Sequence, residues 1–90
     1  MIESGSIVEL SNNKKYIITD SSIENSHTFY LALEVDYNTE KPLDKSMFFE
    51  HVDDTLIPVT AEGDIEFLKT IFVDKFIKDV MAEDSENESV

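Results

Sequence analysis

The chain has 90 residues, with 20 acidic residues against seven lysines and a formal net charge of −13 at pH 7. Because nucleic-acid phosphates and anionic lipids are bound through lysine and arginine, this charge excludes direct binding to nucleic acid or to an anionic membrane. The chain has no cysteine, which excludes disulfides and thiolate metal sites, and its length fits one domain. The first ten residues hold neither a basic region nor an apolar run, so we expect a protein of the bacterial or infected-host cytosol.

Short runs of β-branched and aromatic residues alternate with turn residues over the first two-thirds of the chain. They predict five strands, at Ser6–Leu10, Lys15–Asp20, His27–Asp36, Ser46–Val52 and Thr55–Val59. Asn12-Asn13 fits a two-residue hairpin turn, and Glu24-Asn25 and Asp53-Asp54 mark two further reversals. The segment from Tyr37 to Asp44 contains Pro42, which disfavours strand pairing, and is predicted to be a loop.

The third predicted strand has the clearest alternation in the chain, which makes it the expected central strand. One of its two sets of side chains is apolar and is expected to meet a helix: Phe29, Leu31, Leu33 and Val35. The other set is expected to face outward: Tyr30, Ala32, Glu34 and Asp36.

The segment Asp64–Met81 is the only long stretch with helical periodicity. Because Gly63 weakens the first turn, the helix is expected to begin either at Ala61 or at Asp64. Its main apolar stripe, expected to cover the sheet, consists of Ile65, Leu68, Phe72, Val73, Phe76 and Val80. Four further apolar residues lie outside that stripe: Phe67, Ile71, Ile77 and Met81. Two interpretations stay open, because these four are either covered by strand-connecting loops or form a docking or dimerisation surface.

The predicted fold class is α+β, with a five-stranded antiparallel meander sheet and one C-terminal helix packed across it. The sheet is either open or curled into a small SH3-like barrel. Residues 1–81 are expected to form a single domain. Residues 82–90 are acidic and serine-rich, and are predicted to be a disordered tail.

The sequence offers few groups for catalysis, and we expect no enzyme activity and no cofactor. There is no cysteine and no glycine-rich phosphate loop, and His27 is expected to be exposed at the start of a strand. Residues 50–54, with one histidine and three acids, are the one metal-compatible cluster. Glu50 and His51 point to opposite faces of a strand, so an acidic turn is favoured over a metal site.

A binding surface is the remaining prediction, because residues 34–54 contain seven acids against two lysines. The candidate contact residues are Tyr30, Glu34, Asp36, Tyr37, Glu40, Asp44, Glu50, Asp53 and Asp54. Tyrosines supply contact area and carboxylates pair with lysine or arginine of a partner. If these residues lie on one face, their carboxylates would imitate the phosphates along a strand of nucleic acid. The alternative is an ordinary solvated sheet face.

The pattern of Gly5–Leu10, an asparagine-rich turn, Lys15–Ile18 and Tyr30–Val35 resembles that of small, acidic, YrzB-like proteins of low-GC Gram-positive bacteria and their phages. That resemblance implies a meander sheet followed by a C-terminal helix, and it implies no activity. In size and acidity the chain is also similar to phage anti-CRISPR inhibitors.

Two functions are therefore expected from the sequence. The first is a non-enzymatic phage-type inhibitor that occupies the basic, nucleic-acid-binding surface of a host defence protein. The second is a small housekeeping interaction domain that binds a partner, or a second copy of itself, through its helix.

Overall fold

The computed structural model describes the backbone of residues 2–88 and the side chains of residues 2–81. The elements are β1 (Ile7–Glu9), β2 (Lys15–Glu24), β3 (His27–Val35), β4 (Pro42–Val52), β5 (Thr55–Pro58) and α1 (Glu62–Glu88). The strands form one antiparallel sheet in the order β1-β2-β3-β4-β5. The predicted α+β class, the five strands and the meander order are confirmed.

The turns of the sheet lie where residues tolerate a positive φ. Asn25 and Ser26 (φ 51° and 67°) form the two-residue turn between β2 and β3, one residue later than predicted. Asp53 and Asp54 (φ 47° and 63°) form the equivalent turn between β4 and β5, as predicted. In a type I′ hairpin turn both central residues have a positive φ, and the twist of this turn matches that of the flanking strands.

The first hairpin has a three-residue loop, so the prediction of a two-residue Asn12-Asn13 turn is wrong. The amide of Leu10 donates to the carbonyl of Lys14 at 2.9 Å, which leaves residues 11–13 in the loop. Asn13 takes the left-handed conformation at φ 62°, and the side chain of Asn12 accepts a bond from the Lys14 amide at 3.0 Å. A turn followed by one residue in the left-handed conformation is the common geometry of three-residue hairpin loops.

The predicted loop over residues 37–44 is shorter in the structure, because β4 begins at Pro42. Pro42 pairs with Val35 after a register shift, and proline is tolerated at the first residue of a strand. The loop is closed by two backbone bonds of 2.8 Å, from Asp36 N–H to the Lys41 carbonyl and from Glu40 N–H to the Asp36 carbonyl.

The sheet curls, and its concave face holds the core. Register shifts lie between Ile18 and Asp20 on β2 and between Leu33 and Val35 on β3, and such irregularities bend a strand. The fully buried cluster on this face consists of Tyr16, Ile18, Tyr30, Ala32 and Phe49.

The prediction that Tyr30 and Ala32 face outward is therefore wrong, because both side chains are 0 % exposed. The phenol oxygen of Tyr30 accepts a hydrogen bond from the Ile2 amide at 3.0 Å and lies 3.4 Å from Nδ1 of His51. These two partners allow a polar group to lie inside the sheet without losing hydrogen bonds.

The chain divides into two compact units, residues 1–60 with the sheet and residues 61–90 with the helix. The predicted single domain over residues 1–81 stays a prediction. The helix runs from Glu62 to Glu88, so it begins between the two predicted starts, Ala61 and Asp64, and continues past the predicted end at Met81. Its backbone enters the segment predicted to be disordered because residues 82–88 contain neither glycine nor proline. Residues 89 and 90 of that predicted tail lie outside the described residues.

The helix buries only part of the predicted stripe. Leu68 and Phe72 are buried and Ile65 is half-buried, as the prediction requires. Three members of the predicted buried stripe are instead exposed: Val73, Phe76 and Val80. Within residues 2–88, no helix combines the length and apolar character needed to cross a membrane.

Candidate protein-binding surfaces

The predicted acidic surface is split between the two ends of the sheet. The β1–β2 turn and the β3–β4 loop lie at one end, and the β2–β3 and β4–β5 turns lie at the other, as a meander requires. At about 3.3 Å per residue, the nine residues of β3 separate these ends by roughly 25–30 Å. The first end carries Glu34, Asp36, Tyr37, Glu40 and Asp44, and the second carries Glu50, Asp53 and Asp54. The two groups therefore lie far apart on the sheet, and Tyr30 belongs to the core, while partner binding by the remaining residues stays a prediction.

Lys15 is the centre of a contact network at the first end. Its ammonium nitrogen lies 3.1 Å from Oε2 of Glu40 and 4.5 Å from the centre of the Tyr37 ring. The Tyr37 hydroxyl donates a 2.9 Å hydrogen bond to Oε2 of Glu9. Glu9 and Lys15 were not among the predicted contact residues, although their pairing on β1 and β2 follows from the strand register.

The network perturbs two of its titratable groups. The hydrogen bond to Glu40 raises the pKa of Lys15, and nearby Glu9 and Tyr37 act in the same direction. The hydrogen bond to Glu9 raises the pKa of Tyr37, because ionising the phenol would set two negative charges side by side. Tyr37 nevertheless stays 46 % exposed, so its ring is open to a partner.

Asp36 and Glu34 stabilise this end of the sheet. Oδ1 of Asp36 accepts bonds from the amides of Asn38 at 3.0 Å and Thr39 at 2.9 Å. The Thr39 and Asn38 amides lower the pKa of Asp36, because they favour the charged carboxylate. The side chain of Glu34 is 15 % exposed and lies 3.9 Å from Nζ of Lys14. These two acids, predicted as partner contacts, are already engaged within the sheet.

At the second end, two acids of the Asp53-Asp54 turn are exposed side by side. Glu50 lies 2.7 Å from Nδ1 of His27, whereas His51 contacts Tyr30, so Glu50 and His51 point to opposite faces as predicted. His27 is exposed, also as predicted. Among residues 2–81 no three histidine, aspartate or glutamate side chains come close enough to hold a metal ion together.

Among the side chains of residues 2–81, the largest set of exposed apolar residues lies on the helix. It has the spacing i, i+3, i+4, i+7, i+8, and we call it the helix stripe: Val73, Phe76, Ile77, Val80 and Met81. Residues at this spacing share one side of an α-helix. The stripe contains two of the four residues predicted as a second interface, Ile77 and Met81. Of the other two, Phe67 is exposed on another side of the helix and Ile71 is half-buried.

Comparison of the chain with protein-family models, with curated proteins and with solved structures finds no match. The resemblance to YrzB-like proteins and the likeness to anti-CRISPR inhibitors therefore stay predictions.

Proposed function

We propose that this chain is a non-enzymatic protein-binding module that contacts its partner through the helix stripe. The observation that carries the proposal is the exposure of five large apolar side chains on one side of a single helix. Phe76 is 67 % exposed and Met81 is 62 % exposed, and Val73, about one turn before Phe76, is 55 % exposed. Scattered apolar residues are common on protein surfaces, but a contiguous patch usually marks an interaction site.

The partner we propose is a basic protein that offers an apolar groove or helix. At 100° per residue, Asp74 and Asp79 border the helix stripe on its two sides, and both are exposed. A groove with lysine or arginine along its rim would pair with them. Two copies of the chain would each bring a net charge of −13, and this repulsion opposes a homodimer.

Capture of partners by the immobilised chain tests the proposal when variants are compared. Replacing Phe76 and Val80 together by serine removes the centre of the helix stripe. The matched control is Phe67→Ser, because Phe67 is a 50 % exposed apolar residue of the same helix outside the stripe. We expect the double variant to lose a protein that the wild type and Phe67→Ser both retain. Equal recovery by all three chains, each shown to be folded, would overturn the proposal.

A second candidate function is the phage-type inhibitor that occupies a basic, nucleic-acid-binding surface. The observation that favours it is the exposed Asp53-Asp54 pair at one end of the sheet, in a chain with a net charge of −13. Two exposed carboxylates on one turn offer partners for lysine or arginine side chains that otherwise bind phosphates. Electrostatic steering would then bring the chain to the groove that nucleic acid uses.

Asp53→Asn with Asp54→Asn tests this candidate without disturbing the turn, because asparagine tolerates the positive φ of both positions. If the acidic turn makes the contact, the double variant should lose its ability to compete with nucleic acid for the partner. Undiminished competition by that variant removes the acidic turn from the mechanism. The helix-stripe variant separates the two candidates, because only the first candidate requires Phe76 and Val80.

A further inference from the structure

The two edge strands of the sheet border the same cleft. Val8 on β1 and Leu56 on β5 both line a cavity of about 500 Å³, with Pro58 beside Leu56 and Ile2 also in its lining. All of these residues belong to the sheet unit. The sheet therefore curls far enough to bring β1 and β5 toward each other, although the two strands are not neighbours in the sheet.

The edge of β1 presents backbone groups toward this cleft. The amide of Ile18 on β2 donates to the carbonyl of Ser6 at 2.9 Å, so Ser6 is one of the residues whose backbone groups point toward β2. In an antiparallel pair the bonded residues alternate, so the N–H and C=O groups of Ile7 and Glu9 point away from β2. They form an open edge of the kind that pairs with another strand.

The edge of β5 presents a complementary set. The amide of Val59 donates to the carbonyl of Phe48 at 2.9 Å, so the same alternation turns Leu56 and Pro58 away from β4. Leu56 offers both an N–H and a C=O, and Pro58 offers a C=O alone. An edge strand tolerates proline because no ladder bond is lost on that side.

The strand directions favour one additional strand. In a five-stranded meander β1 and β5 run in the same direction, so closing them directly would join two parallel strands. An up-and-down barrel has antiparallel pairs throughout only when its strand number is even. A single extended segment between β1 and β5 can run antiparallel to both.

We propose that an extended segment of a partner protein, with apolar residues alternating with lysine or arginine, adds as a sixth strand between β1 and β5. Its apolar side chains would enter the cleft against Val8 and Leu56. Its basic side chains would lie on the other face, opposite Glu9, where cross-strand pairs of opposite charge are favourable. Asp54, at the end of the cleft, and the net charge of −13 further favour a basic segment. The site is separate from the helix stripe and goes beyond the proposed function.

The test uses an acetylated and amidated hexapeptide of alternating valine and lysine, titrated into the full chain and followed by NMR. A strand added at this site protects the amides of Ile7, Glu9 and Leu56 from hydrogen exchange, since these are the edge donors. Two control peptides have the same length: one alternates valine and glutamate, and one carries N-methyl groups that remove its backbone donors. We expect each control to bind about ten-fold more weakly.

A variant of the chain tests the charge argument. Glu9→Gln should remove most of the preference for the valine–lysine peptide over the valine–glutamate peptide. Glu3→Gln, an exposed acid outside the strands, is the matched control and should leave the preference unchanged. Absence of binding at millimolar peptide, protection at other amides, or equal binding of the N-methylated peptide would each overturn the proposal. The outcome is independent of the helix stripe, because Phe76 and Val80 play no part in it.

Discussion

The rings of Tyr16 on β2 and Phe49 on β4 meet edge to face with their centres 5.0 Å apart, although β3 lies between their strands. Neighbouring strands are about 4.8 Å apart, so a flat sheet would separate these strands by roughly 10 Å. The contact therefore spans the concave face of a curled sheet. It closes the core over Ala32, which is fully buried.

The first prediction concerns this core. Ile18 is 0 % exposed and Ile57, in the same sheet, is 46 % exposed. Ile18→Val should lower the free energy of unfolding by about 0.5–1.5 kcal/mol, because it removes one methylene from a packed site. Ile57→Val, the matched control, should change it by less than about 0.5 kcal/mol. Urea unfolding measures both, and equal effects of the two variants would contradict the described core.

The second prediction concerns the β2–β3 turn. Ser26 has φ 67° at the second central position of a type I′ turn, where glycine is preferred. Ser26→Gly removes the steric cost of that conformation and should stabilise the chain by roughly 0.5–1 kcal/mol, after the entropic cost of glycine. Ser22→Gly, within β2, is the control and should destabilise. A lower unfolding midpoint for Ser26→Gly would contradict the turn assignment.

The third prediction is a dependence of stability on acid pH. The Thr39 and Asn38 amides lower the pKa of Asp36, so its stabilising contribution is present above its ordinary pKa of about 3.8. That contribution is lost as the pH falls through the lowered value. The stability difference between wild type and Asp36→Ala should therefore be constant near neutral pH and shrink in acid.

Asp36→Asn is the control for this effect, because its side-chain oxygen still accepts from the two amides but does not titrate. The difference in stability between Asp36→Asn and Asp36→Ala should therefore stay constant with pH, because neither variant has a titratable group at position 36. Chemical unfolding between neutral pH and pH of about 2 provides the measurement. A gap between wild type and Asp36→Ala that stays constant over this range would show that the two amides do not favour the charged carboxylate.

The fourth prediction concerns alkaline pH. The hydrogen bond to Glu9 raises the pKa of Tyr37 above its ordinary value of 10. The stability that this hydrogen bond contributes is therefore present below pH 10 and is lost as the pH rises through the raised pKa. Glu9→Gln should lower the pKa of Tyr37 toward 10. Glu40→Gln is the control, since Glu40 contacts Lys15 rather than Tyr37. NMR titration of the tyrosine ring signals measures the pKa of Tyr37 in both variants. An unchanged Tyr37 pKa in Glu9→Gln would contradict the contact between Tyr37 and Glu9.

The strands were predictable because alternation and turn residues are local signals. Asp53-Asp54 marks the position where β5 begins, and β5 ends at Pro58, one residue before the predicted Val59. The burial of Tyr30 was not predictable in the same way, because alternation on one strand cannot reveal that the sheet curls and buries its second face. Tyrosine fits an outward position through its hydroxyl, and only the contacts with Ile2 and His51 explain how it lies in the core.

The candidate surfaces depended on information that periodicity does not contain. A helix with apolar residues on several sides gives no signal for which side is buried, so Phe76 and Val80 were assigned to the wrong stripe. The separation of Asp36 from Asp53 could have been predicted, because successive turns of a meander lie at opposite ends of the sheet. The contact of Tyr37 with Glu9 required the register between β1 and β2.

The most direct test of the proposed function is the affinity of the captured partner, measured by calorimetry for three chains at about 0.15 M and about 1 M salt. The chains are the wild type, the variant with serine at positions 76 and 80, and the variant with asparagine at positions 53 and 54. Raising the salt shortens the screening length from about 8 Å to about 3 Å, which weakens charge contacts far more than apolar ones. We predict that the serine variant loses binding at both salt concentrations while the asparagine variant binds like the wild type. A serine variant that binds like the wild type, with binding lost in the asparagine variant and at high salt, would contradict the role of the helix stripe.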